Sequence, residues 1–382
     1  MDDVDDVDDV DDVWRGRAGV LLVAEQLRRR VPGGIGTYVR GLLSGLTTLE
    51  QSHVELPPVT LYASRGQKAP DPLDAFGRTV ITSRLPGPLL TRMWDRSLVH
   101  APGGFDLVHA VSVAVPPVPR SRLAPRCVEV VAIHDVAWRH RPEDYPRRGR
   151  RWHEAALGRA LRHASHFVVP SEGVAGDLVM AGAPERAVSV IPLGSDVLRQ
   201  RDDAGAAALL EHLGVRSEFL LSVGTLEPRK NLPRLFEAYG MARRALPEPW
   251  PLVVVGPPGW GPELEHGEGI VFTGRVGDGT LASLYARARL LAYVPFEEGF
   301  GLPPVEAMRY GTPVVASPLP TTRGASLEVD PTRVQDIAEA LVRLSTDDAL
   351  RASLAAAGKA RADSLTWESA ARAHVALWSS LL

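Results

Sequence analysis

The chain has 382 residues, 45% of them apolar and 23% charged, with a formal net charge of −3 and one cysteine, Cys127. That length suits two domains, and the apolar share lets each bury its own core. A single cysteine excludes an internal disulfide and a cysteine-rich metal site, and no stretch approaches the roughly eighteen consecutive apolar residues of a membrane-spanning helix.

The opening, "MDDVDDVDDVDDVW", is acidic where a secretory leader is basic and then apolar, so a cytoplasmic location is expected. Its Asp-Asp-Val repeats are low in complexity and self-repelling, which predicts a disordered tail over 1–13. A floppy tail cannot preorganise a metal site from its Asp-x-Asp triplets. The repeats hold eight aspartates; removing eight negative charges from −3 leaves +5, so the remaining body is mildly basic. That balance suits a phosphorylated ligand or an anionic membrane surface.

Strand-length apolar runs then alternate with helical patterns. "GVLLVA" (19–24) reads as a buried strand, followed by a loop with Gly33, Gly34 and Gly36 and a helix from about Thr37 to Leu49. Further strands are predicted over 59–63, 105–111, 127–133, 166–170 and 188–194, with helices around 151–163 and 172–182. Cys127 reads as a small buried strand residue. Residues 85–104 read as loop with one short helix. The pattern weakens over 195–217, a linker and first helix of a second half. It restarts with strands over 219–225, 251–257, 269–274, 290–295 and 313–317, helices over 231–246, 280–288 and 303–311, and a helical end from about Val334 to Leu382. Continuous Val/Leu/Ile runs separated by helices call for parallel sheets covered on both faces. The fold class is therefore α/β, with two Rossmann-like parallel-sheet domains facing across a cleft. The boundaries read as 14–197 for the N-terminal domain and 198–364 for the C-terminal one, with a final helix over 365–382 packing back on the N-terminal domain. Ligands of such sheets bind beyond the carboxyl ends of the strands.

"FEEGFGLPPVEAM" (296–308) lies at such a strand end. Gly299 and Gly301 permit close approach of a ligand to the backbone. Pro303 and Pro304 suit a first helical turn, whose N-terminus favours phosphate. Glu298 and Glu306 then stand where both could accept hydrogen bonds from sugar hydroxyls. The bland alternative is that Glu306 caps its helix and Glu298 is solvated.

The segment "GFGLPPVEAMRYGTPVVAS" and the Glu-x7-Glu spacing of Glu298 and Glu306 resemble the donor site of family 4 glycosyltransferases, retaining enzymes of the GT-B fold. "LLSVGTLEPRKNLPRLFEAY" (220–239), "VVVGPPGWG" (253–261), "VFTGRV" (271–276), "VPGGIGTYVRGLL" (31–43), "AIHDVAW" (132–138), "FVVPSEGVAGDLV" (167–179) and "VIPLGSD" (190–196) are similar to the family's other landmarks, in order. The resemblance runs from about Val20 to the end. It implies that Arg229 and Lys230 bind the diphosphate of a nucleoside-diphosphate sugar, beside Gly224. Glu306 would hold the ribose. Glu298 would contact the donor sugar, with main-chain N–H groups of Phe300, Gly301 and Leu302 alongside. Arg275 and Val276 would flank the base, Gly33 and Gly34 would let a loop close over the phosphates, and His134 would lie near the reacting carbon. No metal and no cofactor beyond the nucleotide sugar are implied. Front-face displacement, with a leaving phosphate oxygen taking the acceptor's proton, is the implied course.

The chain departs from the family at "SPLPTTRGASLEVDP" (317–331), where Thr321 stands in place of an acid. The basic run over 139–164, beside Trp138, Tyr145 and Trp152, reads either as a solvated helix face or as a contact for an anionic membrane surface through 138–152. No nucleic-acid motif accompanies it. The expected function is transfer of a sugar to a saccharide or lipid-linked saccharide acceptor in polysaccharide or cell-envelope glycan synthesis. The "IHDVAW" segment resembles that of mannosyl-transferring members, which implies GDP-mannose as the donor, with glucose, N-acetylglucosamine and rhamnose donors left open. A sugar-nucleotide epimerase of the same fold and an inert scaffold are the rival readings.

Overall fold

The computed structural model describes residues 19–66, 70–119, 127–197, 200–264 and 267–382. The Asp-Asp-Val repeats, and with them the expected tail, lie outside the described residues. In chain order the strands are β1 (Val20–Val23), β2 (Val59–Ala63), β3 (Val80–Thr82), β4 (Leu107–Ala110), β5 (Val128–Ala132), β6 (His166–Val169), β7 (Val188–Val190), β8 (Leu220–Val223), β9 (Leu252–Val255), β10 (Ile270–Gly274), β11 (Leu290–Tyr293), β12 (Val314–Ala316) and β13 (Leu327–Glu328). The helices are α1 (Gly33–Gln51), α2 (Gly87–Asp95), α3 (Ala137–His140), α4 (Arg147–His163), α5 (Glu172–Met180), α6 (Asp203–His212), α7 (Leu232–Arg243), α8 (Asp278–Arg287), α9 (Leu302–Arg309), α10 (Val334–Thr346), α11 (Asp348–Asp363) and α12 (Trp367–Ser380). They form two compact units. The first comprises the chain up to Val136, Pro146–Leu193 and Trp367–Leu382; the second comprises Ala137–Tyr145 and Gly194–Thr366.

The first unit holds a seven-stranded sheet in the order β3-β2-β1-β4-β5-β6-β7. Every pair is parallel. Val20, Leu21 and Leu22 of β1 are fully buried, as a central strand covered on both faces requires. The strand order reverses between β1 and β4. The edge strand β3 is three half-buried to exposed residues with no apolar run, and its pattern gave no strand signal. The glycines expected to form a loop instead open α1: Gly36 N–H already bonds the carbonyl of Pro32 at 3.0 Å, and Pro32 sits at a helical φ of −66°. α1 packs along α12. Gly41 and Gly45 make room for Trp367, since a Cβ at Gly41 would lie 2.0 Å from the indole and one at Gly45 2.1 Å from the Trp367 carbonyl oxygen.

A buried polar chain ties β4, α1 and α12 together. The Trp378 indole N–H can only donate, and it donates to His109 Nδ1 at 3.1 Å. His109 Nε2–H is then the donor to Tyr38 Oη at 2.9 Å. Tyr38 donates to His374 Nε2 at 2.8 Å, whose Nδ1–H bonds the Ala370 carbonyl at 2.6 Å. Each proton in this run has one place, and both histidines are neutral. Burial lowers His109 well below its usual range, the nearby His374 and His134 adding to it, and burial lowers His374 to about 4. The folded state therefore keeps His374 neutral where the unfolded chain, titrating near 6.5, binds a proton. Stability present above pH 6.5 is lost as pH falls toward 4, by on the order of 3 kcal/mol from this group. The thermal midpoint of the wild type should drop across that window more steeply than that of a His374→Gln variant; parallel profiles would contradict the assignment.

The second unit holds a six-stranded sheet in the order β10-β9-β8-β11-β12-β13. Its pairs are also parallel. Alternation along the strands divides its core: Leu220, Leu252, Val254, Leu290 and Ala292 face α7 and α10, while Leu221, Val253, Val255, Leu291 and Tyr293 face the other side with residues of α6, α8 and α9. The order reverses between β8 and β11. β13 has only two residues, and like β3 it is an edge strand too short to show a pattern. The helical end predicted over 334–382 divides into α10, α11 and α12.

Candidate donor site

Two loops leave the sheet side by side at the switch between β8 and β11, the place where open parallel sheets bind ligands. After β8 the chain runs through Gly224 to a single turn, Pro228–Lys230. Asn231 closes that turn at φ 59°, its side-chain amide donating to the carbonyls of Val294 at 3.0 Å and Pro331 at 2.7 Å. After β11 comes the loop 294–301. The two loops are joined by a backbone bond from Phe296 N–H to the Arg229 carbonyl at 2.9 Å.

This pairing brings Arg229, Lys230 and Glu298 into contact. The Lys230 ammonium is ion-paired with Glu298 Oε2, and Arg229 Nη1 lies 3.4 Å from the same oxygen. Arg229 also pairs with Glu227, Nε to Oε1 at 2.5 Å. The side chains of Lys230, Glu298 and Arg229 are only 11%, 13% and 15% exposed, so Glu298 is not a solvated surface acid. Burial alone pushes Glu298 up, but the charges of Lys230 and Arg229 outweigh it and hold the carboxyl down to about 2. Burial, followed by the like charge of Arg229, draws the Lys230 ammonium below the usual lysine range. Gly224 stands over this lysine: a Cβ there would lie 3.5 Å from Lys230 Cε.

Gly301 caps α9 at φ 90°, a conformation open to glycine, and an added Cβ would meet the Leu319 side chain at 2.9 Å. Pro303 and Pro304 follow in the first turn. Glu306 is buried at 7% exposure and accepts a bond from Tyr285 Oη at 3.0 Å. Thr321, at the departure from the family pattern, donates to the Phe300 carbonyl at 2.6 Å. The residue standing in place of an acid thus pins the glycine loop. Phe300 is buried and Leu302 half-buried. Arg275 and Val276 lie just past β10, Arg275 exposed and Val276 packed against the core.

The remaining expected residues belong to the first unit. Gly33 and Gly34 are the first residues of α1. His134 follows β5, donates from Nε2 to the Val111 carbonyl at 2.9 Å, and stands edge-on to Tyr38 at 4.9 Å. Burial lowers its pKa, which keeps the ring neutral.

Reading from sequence missed three members of the site: Tyr293, Tyr285 and Glu227. Tyr293 Oη accepts from Lys230 Nζ at 2.8 Å and donates to Glu298 Oε2. Its signal was its place as the last residue of β11, one step before the loop. Of the aromatics of 138–152, Trp138 is buried and Tyr145 and Trp152 are half-buried. Trp138 is 4% exposed, Tyr145 packs on Trp260 at 5.7 Å, and Trp152 donates to Asp95 at 2.8 Å. Among the exposed residues there are Arg139, Arg147, Arg148 and Arg151. Among the described residues no helix is long and apolar enough to cross a membrane.

Comparison with known proteins bears on the family and the fold. The family model for Glycosyl transferases group 1 matches residues 212–361, and that for Glycosyltransferase Family 4 matches 32–199. The chain is 32% identical over 254 residues to O-antigen chain mannosyltransferase B of Escherichia coli, covering 63% of this chain and 67% of that protein. It is 31% identical over 207 residues to a D-inositol 3-phosphate glycosyltransferase of Rhodococcus opacus (strain B4), covering 49% and 46%. Among solved structures, Anabaena HepE in complex with UDP-glucose superposes with a TM-score of 0.69 at 20% identity, over 95% of this chain and 99% of that one. Sucrose-phosphate synthase from Thermosynechococcus elongatus gives 0.69 at 21%, over 95% and 98%. At these identities the two structures speak for the fold alone. With both units matched by the models and two thirds of a curated relative covered, the chain belongs to the family 4 (group 1) glycosyltransferases and carries their two Rossmann-like sheets.

Proposed function

We propose that this glycosyltransferase is a retaining, metal-independent enzyme that moves a hexose from a nucleoside-diphosphate sugar to a saccharide or lipid-linked saccharide acceptor in polysaccharide or cell-envelope glycan synthesis. The observation that carries the reading is the Arg229–Lys230–Glu298 contact at the β8/β11 switch. Two cations and the N-terminus of α9 supply a positive field for a diphosphate. Glu298 is held ionised and can accept hydrogen bonds from donor-sugar hydroxyls, and Glu306 from the ribose. GDP-mannose is the first donor to test, because the E. coli relative is named a mannosyltransferase.

In the proposed reaction the bond from the sugar's anomeric carbon to the diphosphate oxygen breaks as the acceptor oxygen attacks from the same face. The acceptor's proton passes to an oxygen of the departing diphosphate, so no protein base is required. Arg229 and Lys230 stabilise the charge that grows on that leaving group. His134 is neutral and its Nε2–H is committed to the Val111 carbonyl, so it is not assigned the role of an acid. The exposed arginines of α4 suit a peripheral contact with an anionic inner leaflet through charge alone.

The test is a thermal-shift screen against UDP, GDP, dTDP and ADP and their sugars. A native-state ligand raises the midpoint by mass action. The expected result is one clear nucleotide preference that disappears in Glu306→Ala. No shift with any of them would put the scaffold reading first.

A further inference from the structure

Among the described residues, the Tyr293 hydroxyl is the one that touches both halves of the ion pair, and the proposed reaction gives it no role. The ligand-free site satisfies itself: Lys230 spends its charge on Glu298. A diphosphate must compete for that lysine. Once Lys230 turns to the phosphates, Glu298 loses its nearest cation while still 13% exposed, and Arg229 remains only at 3.4 Å and shared with Glu227. Tyr293 stays. Its ring is anchored in the core of the second unit at 3% exposure, and its Oη–H already points at Glu298 Oε2.

We propose that Tyr293 is a positioning residue for the donor: its hydroxyl keeps Glu298 aimed at the sugar when Lys230 leaves it for the diphosphate. This rests on the donor-site reading above. The phenol is suited to that exchange. It accepts from Lys230 in the free site and needs no new proton to hold Glu298 in the occupied one, because its own O–H is already the donor. Burial, and then the charge of Glu298, raises its pKa well above the usual range, so the proton is retained at all working pH values. The groups facing Glu298 are Lys230 and Arg229 from the turn after β8, Glu227 behind them, and Tyr293 from β11. Of these, Tyr293 alone is neutral and fixed in the sheet.

The experiment compares wild type and Tyr293→Phe for binding of GDP-mannose and of GDP by calorimetry, with UDP-glucose and UDP as the second pair. The hydroxyl serves Glu298, and Glu298 serves the sugar. Tyr293→Phe should therefore weaken the nucleotide sugar about tenfold to a hundredfold, as for a hydrogen bond to a charged group, and the free nucleotide less than about threefold. Its kcat/KM should also lose activity on the acid side at higher pH than wild type, since the Tyr293 hydrogen bond is one of the causes holding Glu298 down. In a Glu298→Gln background the same substitution should add nothing beyond about threefold. Equal losses for sugar and free nucleotide, an unchanged acid limb, or full additivity with Glu298→Gln would each overturn the role. A lowered apo midpoint with those same patterns would mark Tyr293 as structural and overturn it too. Wild type that binds neither pair overturns the donor-site reading itself, whereas wild type that binds and a variant that matches it overturns only the role of Tyr293.

Discussion

Lys230→Ala should lower kcat/KM for sugar transfer by about 10²–10³-fold, chiefly in kcat. The magnitude is that of removing one preorganised partner of a developing negative charge. Lys230 meets that description in the proposed reaction, because charge grows on the diphosphate as the glycosidic oxygen departs. The loss has a second source. Without the ammonium, Glu298 keeps only Arg229 at 3.4 Å and the Tyr293 hydroxyl, so a nearly buried carboxylate loses its main counter-charge. Lys230→Arg should recover only part of the activity. A planar guanidinium cannot take the point contact between Tyr293 Oη and Glu298 Oε2 that the ammonium makes. The pH profile has a defined sign. Burial and Arg229 draw Lys230 below the usual lysine range, and a neutral amine cannot serve the diphosphate. Activity should therefore fall on the alkaline side at a pH below 10.5, and Lys230→Arg should remove that limb. Steady-state kinetics across pH check all three statements; a Lys230→Ala enzyme within threefold of wild type would refute them.

Trp367→Ala should cost about 3–5 kcal/mol of stability in the first unit, the range for emptying a buried aromatic site. Trp367 is fully buried, and α1 presents two glycines to it rather than side chains that could move in to fill the space. The indole also packs against Tyr38, with ring centroids 6.2 Å apart, so its loss loosens the chain from Trp378 to Ala370. The converse change acts at the same contact: Gly41→Ala forces a methyl into the Trp367 ring and should destabilise as well. Denaturant unfolding followed by the fluorescence of the remaining tryptophans should show an earlier first transition in both variants. Two units need not unfold together, so the comparison uses each transition separately. Coincident curves for wild type and Trp367→Ala would contradict this packing role.

What the sequence made legible follows from the size of each signal. Central strands such as "LLSV" (220–223) and "LVVV" (252–255) are continuous apolar runs because both faces are covered, and their period-free pattern gave them away. The edge strands β3 and β13 face water, are two or three residues long, and carry no such run. In the glycine segment that opens α1, glycine's low helix propensity argued for a loop. Pro32 and the tertiary setting of α1 made it a first turn. At the site, charged residues at loop ends were visible as chemistry: Arg229, Lys230, Glu298 and Glu306 all lie where the β8 and β11 loops would carry them. Tyr293 and Tyr285 were not visible, because an aromatic in a strand or a helix reads as core, and both are indeed core by burial. Their hydroxyls matter through partners distant in sequence or across the loop, which no local pattern encodes. The aromatics of 138–152 show the same limit from the other side. They read as surface beside arginines, while Trp138 is buried and Trp152 and Tyr145 are engaged elsewhere.

The measurement that bears most directly on the account is a calorimetric titration of GDP and UDP, each alone, into wild type and Lys230→Ala. The account predicts one site per chain in the wild type with a preference for one base, and binding weakened at least tenfold in a variant whose apo midpoint shows it folded. Equal affinities in the two proteins would mean that the β8/β11 switch does not hold the diphosphate, and the donor site would have to be sought elsewhere.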